Sequence, residues 1–140
     1  MASGWEEISV PSNWELLGYG YPAYRDESYS FPANPPFVPE DDNPVGSYRR
    51  TFEIPTEWND KEVFLRFDGV YSAFHVWVNG AFVGYSEGSR TPSEFRITEQ
   101  LAPGMNTLAV QVISWSDGSY LESQDFWRIS GIDREVSLLA

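Results

Sequence analysis

The fold class is decided by residues 75–85, which read His75-Val76-Trp77-Val78-Asn79-Gly80-Ala81-Phe82-Val83-Gly84-Tyr85. Asn-Gly pairs readily adopt positive φ at both central positions of a turn. A pair of this kind between two runs rich in β-branched and aromatic residues predicts a two-residue type I′ hairpin. The centre of the chain therefore indicates antiparallel β structure.

Further runs on either side of this hairpin show the pattern of half-buried strands. In residues 63–67, Val63, Leu65 and Phe67 are expected to face the core, and Phe64 suggests partial cover on the other face. The other predicted strands are 47–54 through Tyr48, Phe52 and Ile54, 106–113 with Leu108, Val110 and Val112 inward, and 135–139. Pro103-Gly104 predicts a turn, and a helical turn is expected only within residues 93–101. Short strands without helical periodicity predict an all-β fold, an antiparallel β-sandwich of the jelly-roll type.

Residues 11–46 differ from the rest of the chain because prolines and aromatic residues alternate there. The seven prolines of this segment interrupt β ladders, since proline has no N–H to donate. The aromatic side chains provide more apolar area than a disordered linker carries. We therefore predict a long, ordered Pro/aromatic-rich loop that lies across the sandwich or against a neighbour. A leader with part of a first strand would precede it in residues 1–9, and residues 47–139 would supply the sandwich strands.

Composition excludes several functional classes. The net charge of −12 would repel a phosphate backbone, so no nucleic-acid partner is expected. No apolar run reaches the roughly 18–20 residues of a membrane span, and residues 1–10 lack the features of a signal peptide. The absence of cysteine rules out disulfides and thiolate metal sites, and the lone His75 disfavours a His-based metal site or a Ser-His-Asp triad. The 140 residues form one domain, and because residues 136–140 stop inside an apolar run, we expect a fragment of a longer protein.

Residues 115–128, which read WSDGSYLESQDFWR, combine aromatic side chains with acids and one arginine. Sugars fit such a segment because their ring faces stack on aromatics and their hydroxyls pair with carboxylates. An aromatic cluster that closes one end of the sandwich is an equally good interpretation of this composition. Glu122 and Asp125 resemble the pair of carboxyl groups that a glycosidase uses. Because both lie on one loop, three residues apart, the distance between their carboxyl groups is poorly controlled, and catalysis by this pair is not favoured.

A series of motifs in a fixed order adds a family resemblance. The motifs are Pro11-Ser12-Asn13-Trp14, Gly18-Tyr19, Asn34-Pro35-Pro36-Phe37-Val38-Pro39, Asn43-Pro44-Val45-Gly46, Phe67-Asp68-Gly69-Val70, Ser72-Ala73-Phe74, Val83-Gly84-Tyr85, Ser89-Arg90, Pro92-Ser93-Glu94-Phe95, Trp115-Ser116-Asp117-Gly118-Ser119-Tyr120-Leu121-Glu122, Gln124-Asp125, Trp127-Arg128 and Ser130-Gly131-Ile132. Over residues 10–139 the chain resembles the amino-terminal region of large bacterial β-galactosidases of glycoside hydrolase family 2. The order and spacing favour the galactosidase branch over glucuronidases or mannosidases.

The resemblance implies a sugar-binding, galactose-binding-domain-like jelly roll that precedes a catalytic barrel in a multidomain, retaining β-galactosidase. The two catalytic glutamates of the family belong to that barrel, beyond Ala140, so this chain is expected to hold no catalytic residue and to be inactive alone. It is expected to bind no cofactor itself, whereas sodium and magnesium are expected in the full-length enzyme. The expected partners are a terminal β-D-galactoside such as lactose, the other domains of the same chain and, in the parent, further copies of it.

Two of the three substrate-contact candidates follow from the resemblance. The aspartate of the family's Gln-Asp-x-Trp-Arg segment contacts galactosyl hydroxyls and a sodium ion, and it corresponds to Asp125. A family asparagine corresponds to Asp26, which departs from the pattern because a carboxylate accepts hydrogen bonds but cannot donate them. Glu27 also replaces an apolar residue, so the aglycone preference is expected to differ from that of the better-known relatives. Trp127 is a third candidate, through its ring face.

Two functions of other classes remain open: a stand-alone carbohydrate-binding module, and a purely structural domain for inter-domain and subunit packing. An independent module should bind galactosides by itself, whereas a packing domain should expose apolar faces. No membrane association is expected. The bacterial cytoplasm is the favoured compartment, with the periplasm as the alternative.

Overall fold

The computed structural model describes residues 4–26 and 28–140. In chain order the strands are β1 (Ser12–Asn13), β2 (Ala23–Arg25), β3 (Val45–Glu53), β4 (Phe64–Phe67), β5 (Val70–Tyr71), β6 (Ala73–Val78), β7 (Ala81–Glu87), β8 (Ser93–Arg96), β9 (Met105–Ile113), β10 (Phe126–Arg128), β11 (Gly131–Ile132) and β12 (Val136–Leu139). One short helix, α1 (Gly118–Leu121), and three 3-10 turns at Trp14–Leu17, Thr56–Trp58 and Thr98–Gln100 complete the regular structure of the described residues.

The predicted hairpin is formed by β6 and β7, which pair antiparallel with Val78 opposite Ala81. Asn79 and Gly80 both have positive φ, 52° and 81°, as the type I′ prediction requires. The hairpin continues into a four-stranded antiparallel sheet in the order β3-β9-β6-β7. The prediction of a hairpin at the centre of the fold is confirmed.

A three-stranded antiparallel sheet, β12-β4-β8, packs against the first and completes a β-sandwich. Val63, Leu65 and Phe67 are buried as predicted, and the ring centroid of Phe67 lies 4.9 Å from that of Phe74 on the facing sheet. The other predicted inward residues either belong to the core or pack on it half-buried: Tyr48, Phe52, Ile54, Leu108, Val110 and Val112. The prediction of an all-β, jelly-roll-type sandwich is confirmed.

The segment 11–46 contains short strands despite its prolines. β1 pairs with β11, and β2 pairs with β10, so each ladder joins this segment to the carboxyl-terminal part of the chain. Phe31 is buried, and its ring centroid lies 5.4 Å from that of Trp115. Tyr120 donates a hydrogen bond from Oη to the carbonyl oxygen of Phe37 at 2.7 Å. The segment is therefore anchored to the sandwich at several points.

The placement of helical turns differs from the prediction. Residues 93–96 form strand β8, and a 3-10 turn follows at Thr98–Gln100. The expectation that no other segment could be helical is wrong for α1, which the sequence did not indicate. A buried serine cluster explains α1, because Ser119 Oγ accepts the backbone N–H of Ser116 at 3.0 Å and Ser116 Oγ lies 2.6 Å from Ser72 Oγ. Among the helices of the described residues, none has the length and apolar character of a membrane span.

Candidate functional site

The aromatic residues of segment 115–128 divide between the two interpretations of its composition. Trp115 and Tyr120 pack against the ring of Phe31, each with its centroid 5.4 Å away, and so help to close one end of the sandwich. Trp127 instead lies on the surface, with 54% of its area exposed. Trp127 is therefore the tryptophan of this segment whose ring is open to a ligand.

The β2–β10 ladder brings the sequence candidates together. Tyr24 pairs with Trp127 across this ladder, and their ring centroids lie 5.5 Å apart. Asp125 comes directly before β10, and Tyr24, which packs on Trp127, also donates a hydrogen bond to it. Asp26 directly follows β2, and its negative charge acts on the Tyr24 phenol. Asp125, Asp26 and Trp127 thus share one exposed surface, while Glu27 lies outside the described residues.

The side chain of Asp125 is exposed and is held by a partner that the sequence did not indicate. Tyr24 donates a hydrogen bond from Oη to Oδ1 of Asp125. This hydrogen bond raises the pKa of the Tyr24 phenol, and the negative charges of Asp125 and Asp26 act in the same direction. The phenol therefore stays protonated and remains a donor at neutral pH. In residues 4–26 and 28–140, no hydrogen-bond donor reaches the second oxygen, Oδ2, of Asp125.

The backbone on both sides of Asp125 is fixed by the buried side chain of Arg128. Its guanidinium donates to the carbonyl oxygen of Gln124 at 2.5 Å and to that of Phe126 at 3.1 Å. It also donates to Ser123 Oγ at 3.3 Å and lies over the Phe126 ring, 4.1 Å from the centroid. The planar guanidinium group, with several N–H donors, can bind these acceptors at the same time, which a lysine ammonium group cannot do. Arg128 therefore shapes the loop rather than pairing with the Asp125 carboxylate.

Glu122 does not pair with Asp125. Its carboxylate accepts the backbone N–H of Ser89 at 2.9 Å and the hydroxyl of Ser89 at 2.6 Å. Both oxygens are thus occupied in holding two loops together. Glu122 therefore joins the loop of Ser89 to the loop that follows α1.

A second group of acids, also missed by sequence reasoning, lies near α1. Tyr85 Oη donates to Glu87 at 3.0 Å. Partial burial raises the pKa of the Glu87 carboxyl, the hydrogen bond from Tyr85 lowers it in part, and a hydrogen bond with Asp117 raises it again. No group of three His, Cys, Asp or Glu side chains in the described parts of the chain is close enough to hold a metal ion by itself.

Comparison with protein families assigns the chain as a whole. A family model described as "Glycosyl hydrolases family 2, sugar binding domain" matches residues 3–140. The chain belongs to this family. The finding confirms the resemblance seen in the sequence motifs and covers both strands that carry the candidate site.

Curated relatives of this family 2 sugar-binding domain are named β-galactosidases. One from Priestia megaterium is 56% identical over 138 residues, which is 96% of this chain and 13% of the relative. Another from Psychromonas ingrahamii is 54% identical over 138 residues, 99% of this chain and 13% of the relative. The chain thus spans about 13% of the length of these relatives.

Among solved structures, a β-glucuronidase from Bacteroides uniformis matches with a TM-score of 0.73 and 30% identity. The match covers 96% of this chain and 14% of that chain. A second structure from the same organism, with a covalently bound cyclophellitol-6-carboxylate aziridine, gives the same TM-score over 97% of this chain. The sandwich is therefore shared between glycosidases with different names.

Proposed function

We propose that this family 2 sugar-binding domain is the non-catalytic sugar-binding part of a retaining β-galactosidase that hydrolyses terminal β-D-galactosides. In this proposal Asp125 and its loop contribute to the galactose subsite, and the rest of the protein carries out the reaction. The names of the curated relatives support the activity of the parent. The exposed carboxylate of Asp125 beside an exposed indole carries the proposed role of the domain.

The physical support comes from how Asp125 is held. One oxygen is engaged by Tyr24, and the loop backbone is fixed by Arg128. The second oxygen, Oδ2, which no donor among the described residues reaches, can accept hydrogen bonds from sugar hydroxyls without rearrangement of the loop. Hydrogen bonds to a charged group are about twice as strong as neutral ones. The Trp127 ring next to it offers an apolar face on which the C–H side of a sugar ring can rest.

The carboxylates near Tyr24 also suit a cation. Carboxylate oxygens are the ligands that hard cations prefer, and both Asp125 and Asp26 place negative charge near the Tyr24 phenol. Asp125 therefore fits as one ligand of a sodium ion, with the remaining ligands supplied by other parts of the parent. Such an ion would offset the charge of the two acids and help to orient a sugar hydroxyl. A magnesium site stays a prediction for the rest of the parent.

Asp26 is proposed as a second, weaker contact. Asp26 is exposed, and its charge acts on the same Tyr24 phenol that binds Asp125. It can accept hydrogen bonds from a hydroxyl but cannot donate one, as the family asparagine would. We therefore expect Asp26→Asn in the parent to change the relative rates on galactosides with different aglycones rather than to abolish activity.

The central test uses the full-length parent. Asp125→Ala should lower kcat/KM for a β-galactoside roughly 10- to 100-fold, as expected for loss of one or two hydrogen bonds to a charged group. Sodium should then stimulate the variant much less than the wild type. Asp60→Asn, an exposed acid on the loop before β4, serves as the matched control and should leave both properties unchanged. Unchanged kinetics and sodium response in Asp125→Ala would rule out the proposed role.

Calorimetry on the isolated chain separates this proposal from the stand-alone module. Asp125 and Trp127 are exposed in the isolated chain, so galactose must compete with water for every contact with them. Titration with galactose should therefore give no measurable heat of binding at millimolar concentration. Binding at micromolar to low-millimolar concentration would favour an independent carbohydrate-binding module instead.

A packing role for the same domain is supported by a groove between the two main sheets. It has a volume of about 850 Å³ and runs between β3 and β12. Its apolar lining includes Tyr48, Phe52, Leu65, Leu108, Val136 and Leu138. We propose that other parts of the parent chain cover this groove. The isolated chain should then bind an apolar dye such as ANS, and the full-length parent should bind much less dye per copy of this domain. Equal dye binding per copy in the two proteins would argue against a covered groove.

A further inference from the structure

We infer that Tyr24 is a positioning residue that orients the carboxylate of Asp125 for its ligand. The inference rests on the proposed role of Asp125 and names the residue that sets its geometry. Tyr24 precedes Asp26 in the segment that resembles the family contact, but the resemblance gives Tyr24 no role, and about a hundred residues of chain separate it from Asp125.

Strand register explains why Tyr24 reaches Asp125. Tyr24 lies directly opposite Trp127 in the β2–β10 ladder, so both side chains stand on the same face. Asp125 lies two residues before Trp127, at the bend that precedes β10, where the N–H of Phe126 donates to the carbonyl oxygen of Gln124 at 3.0 Å. From this bend the Asp125 carboxylate is within hydrogen-bond distance of the Tyr24 phenol. The phenol then meets Oδ1 of Asp125 end on.

The position of the Tyr24 ring is itself restrained. Its centroid lies 5.5 Å from that of Trp127 at an interplanar angle of 56°, so the two rings pack obliquely. Tyr24 remains 47% exposed, which leaves the surface open to a ligand.

Two restraints on Asp125 come from different sides. Arg128 holds the carbonyl groups of Gln124 and Phe126 and so fixes the backbone, but it leaves rotation about the Asp125 side-chain bonds free. The hydrogen bond from Tyr24 restricts that rotation by engaging Oδ1. The remaining oxygen, Oδ2, then has one direction in which to accept a ligand. Loss of the Tyr24 hydroxyl should release the carboxylate without disturbing the loop.

The test is a double-mutant cycle in the full-length parent with Tyr24→Phe, Asp125→Ala and the double variant. Tyr24→Phe keeps the ring packing on Trp127 and removes only the hydroxyl. It should lower kcat/KM about 10-fold, near the lower end for a hydrogen bond to a charged group because both partners are exposed. In the Asp125→Ala background the same substitution should change kcat/KM less than 2-fold, since its target is gone.

Two measurements separate positioning from a general structural effect. The melting temperature of Tyr24→Phe should equal that of the wild type. Tyr21→Phe is the control, because it removes an exposed hydroxyl from the same segment, and its kcat/KM should equal that of the wild type. An effect of Tyr24→Phe below 2-fold in the wild-type background, or an equal effect in both backgrounds, would overturn the inference. If Asp125→Ala itself leaves kcat/KM unchanged, the proposed function fails, and that outcome is distinct from the failure of Tyr24 alone.

Discussion

Replacement of Arg128 with lysine should destabilise the chain although the charge is kept. The guanidinium makes three hydrogen bonds to segment 123–126 and lies on the ring of Phe126. Arg128 is 6% exposed, so a donor lost here leaves carbonyl groups without water to replace it. A lysine ammonium on a flexible stem can reach one of these acceptors but cannot span all three.

The magnitude follows from the bonds that are lost. A hydrogen bond from a charged donor contributes about 1.5 kcal/mol at the low end, so two lost bonds cost about 3 kcal/mol. The loss of the guanidinium from the face of Phe126 adds about 0.5–1 kcal/mol. For a domain of this length the melting temperature should fall by roughly 10 °C. In the full-length parent kcat/KM should fall as well, because the backbone that carries Asp125 loses its support.

Urea unfolding of the isolated chain, followed by tryptophan fluorescence, measures this change. Arg90→Lys is the matched control, because the Arg90 guanidinium also lies over the Phe126 ring, at 4.7 Å, but its side chain is exposed. That control should cost about 0.5 kcal/mol or less. A loss below about 1 kcal/mol in Arg128→Lys, or one equal to that in Arg90→Lys, would refute the idea that the arginine fork holds the loop.

Two further substitutions test other parts of the structure. Gly46→Ala should destabilise the chain by about 1–3 kcal/mol in urea unfolding, because a Cβ at this position would overlap the buried ring of Trp14; a neutral result would mean that the ring can move aside. Glu87→Gln tests the raised pKa of Glu87. When folding raises the pKa of an acid, its contribution to stability is fully present at pH values below its pKa in the unfolded chain. That contribution is lost as pH rises through its pKa in the folded chain. The wild type should therefore lose stability relative to Glu87→Gln as pH rises above about 4.5, and parallel stability curves would contradict this.

The sequence predicted those parts of the fold that depend on local patterns. The Asn79-Gly80 turn needs only two adjacent residues with tolerance for positive φ, and the strands around it follow from alternation of apolar side chains. The strands inside segment 11–46 could not be predicted in this way. Their partners lie about a hundred residues away, and prolines next to them mask the local pattern.

The candidate site was predicted at the level of residues but not of contacts. Composition indicated that the aromatic and acidic side chains of segment 115–128 could either bind a ligand or pack in the sandwich, but not which of them does which. That depends on which rings the Pro/aromatic-rich segment covers. Phe31 packs on Trp115 and Tyr120, whereas Tyr24 packs on Trp127 and leaves it half-exposed.

The exposure of Asp125 explains why its proposed role requires the rest of the parent. In the isolated chain a sugar hydroxyl at Oδ2 replaces a water molecule of similar hydrogen-bonding strength, so the net gain is small. That gain must also offset the loss of translational and rotational freedom of the sugar. The same carboxylate, once other parts of the protein exclude water from around it, would hold a hydroxyl in a lower dielectric where each hydrogen bond is stronger. A residue that is fixed by Tyr24 and Arg128 yet open to solvent is suited to a subsite that another domain completes.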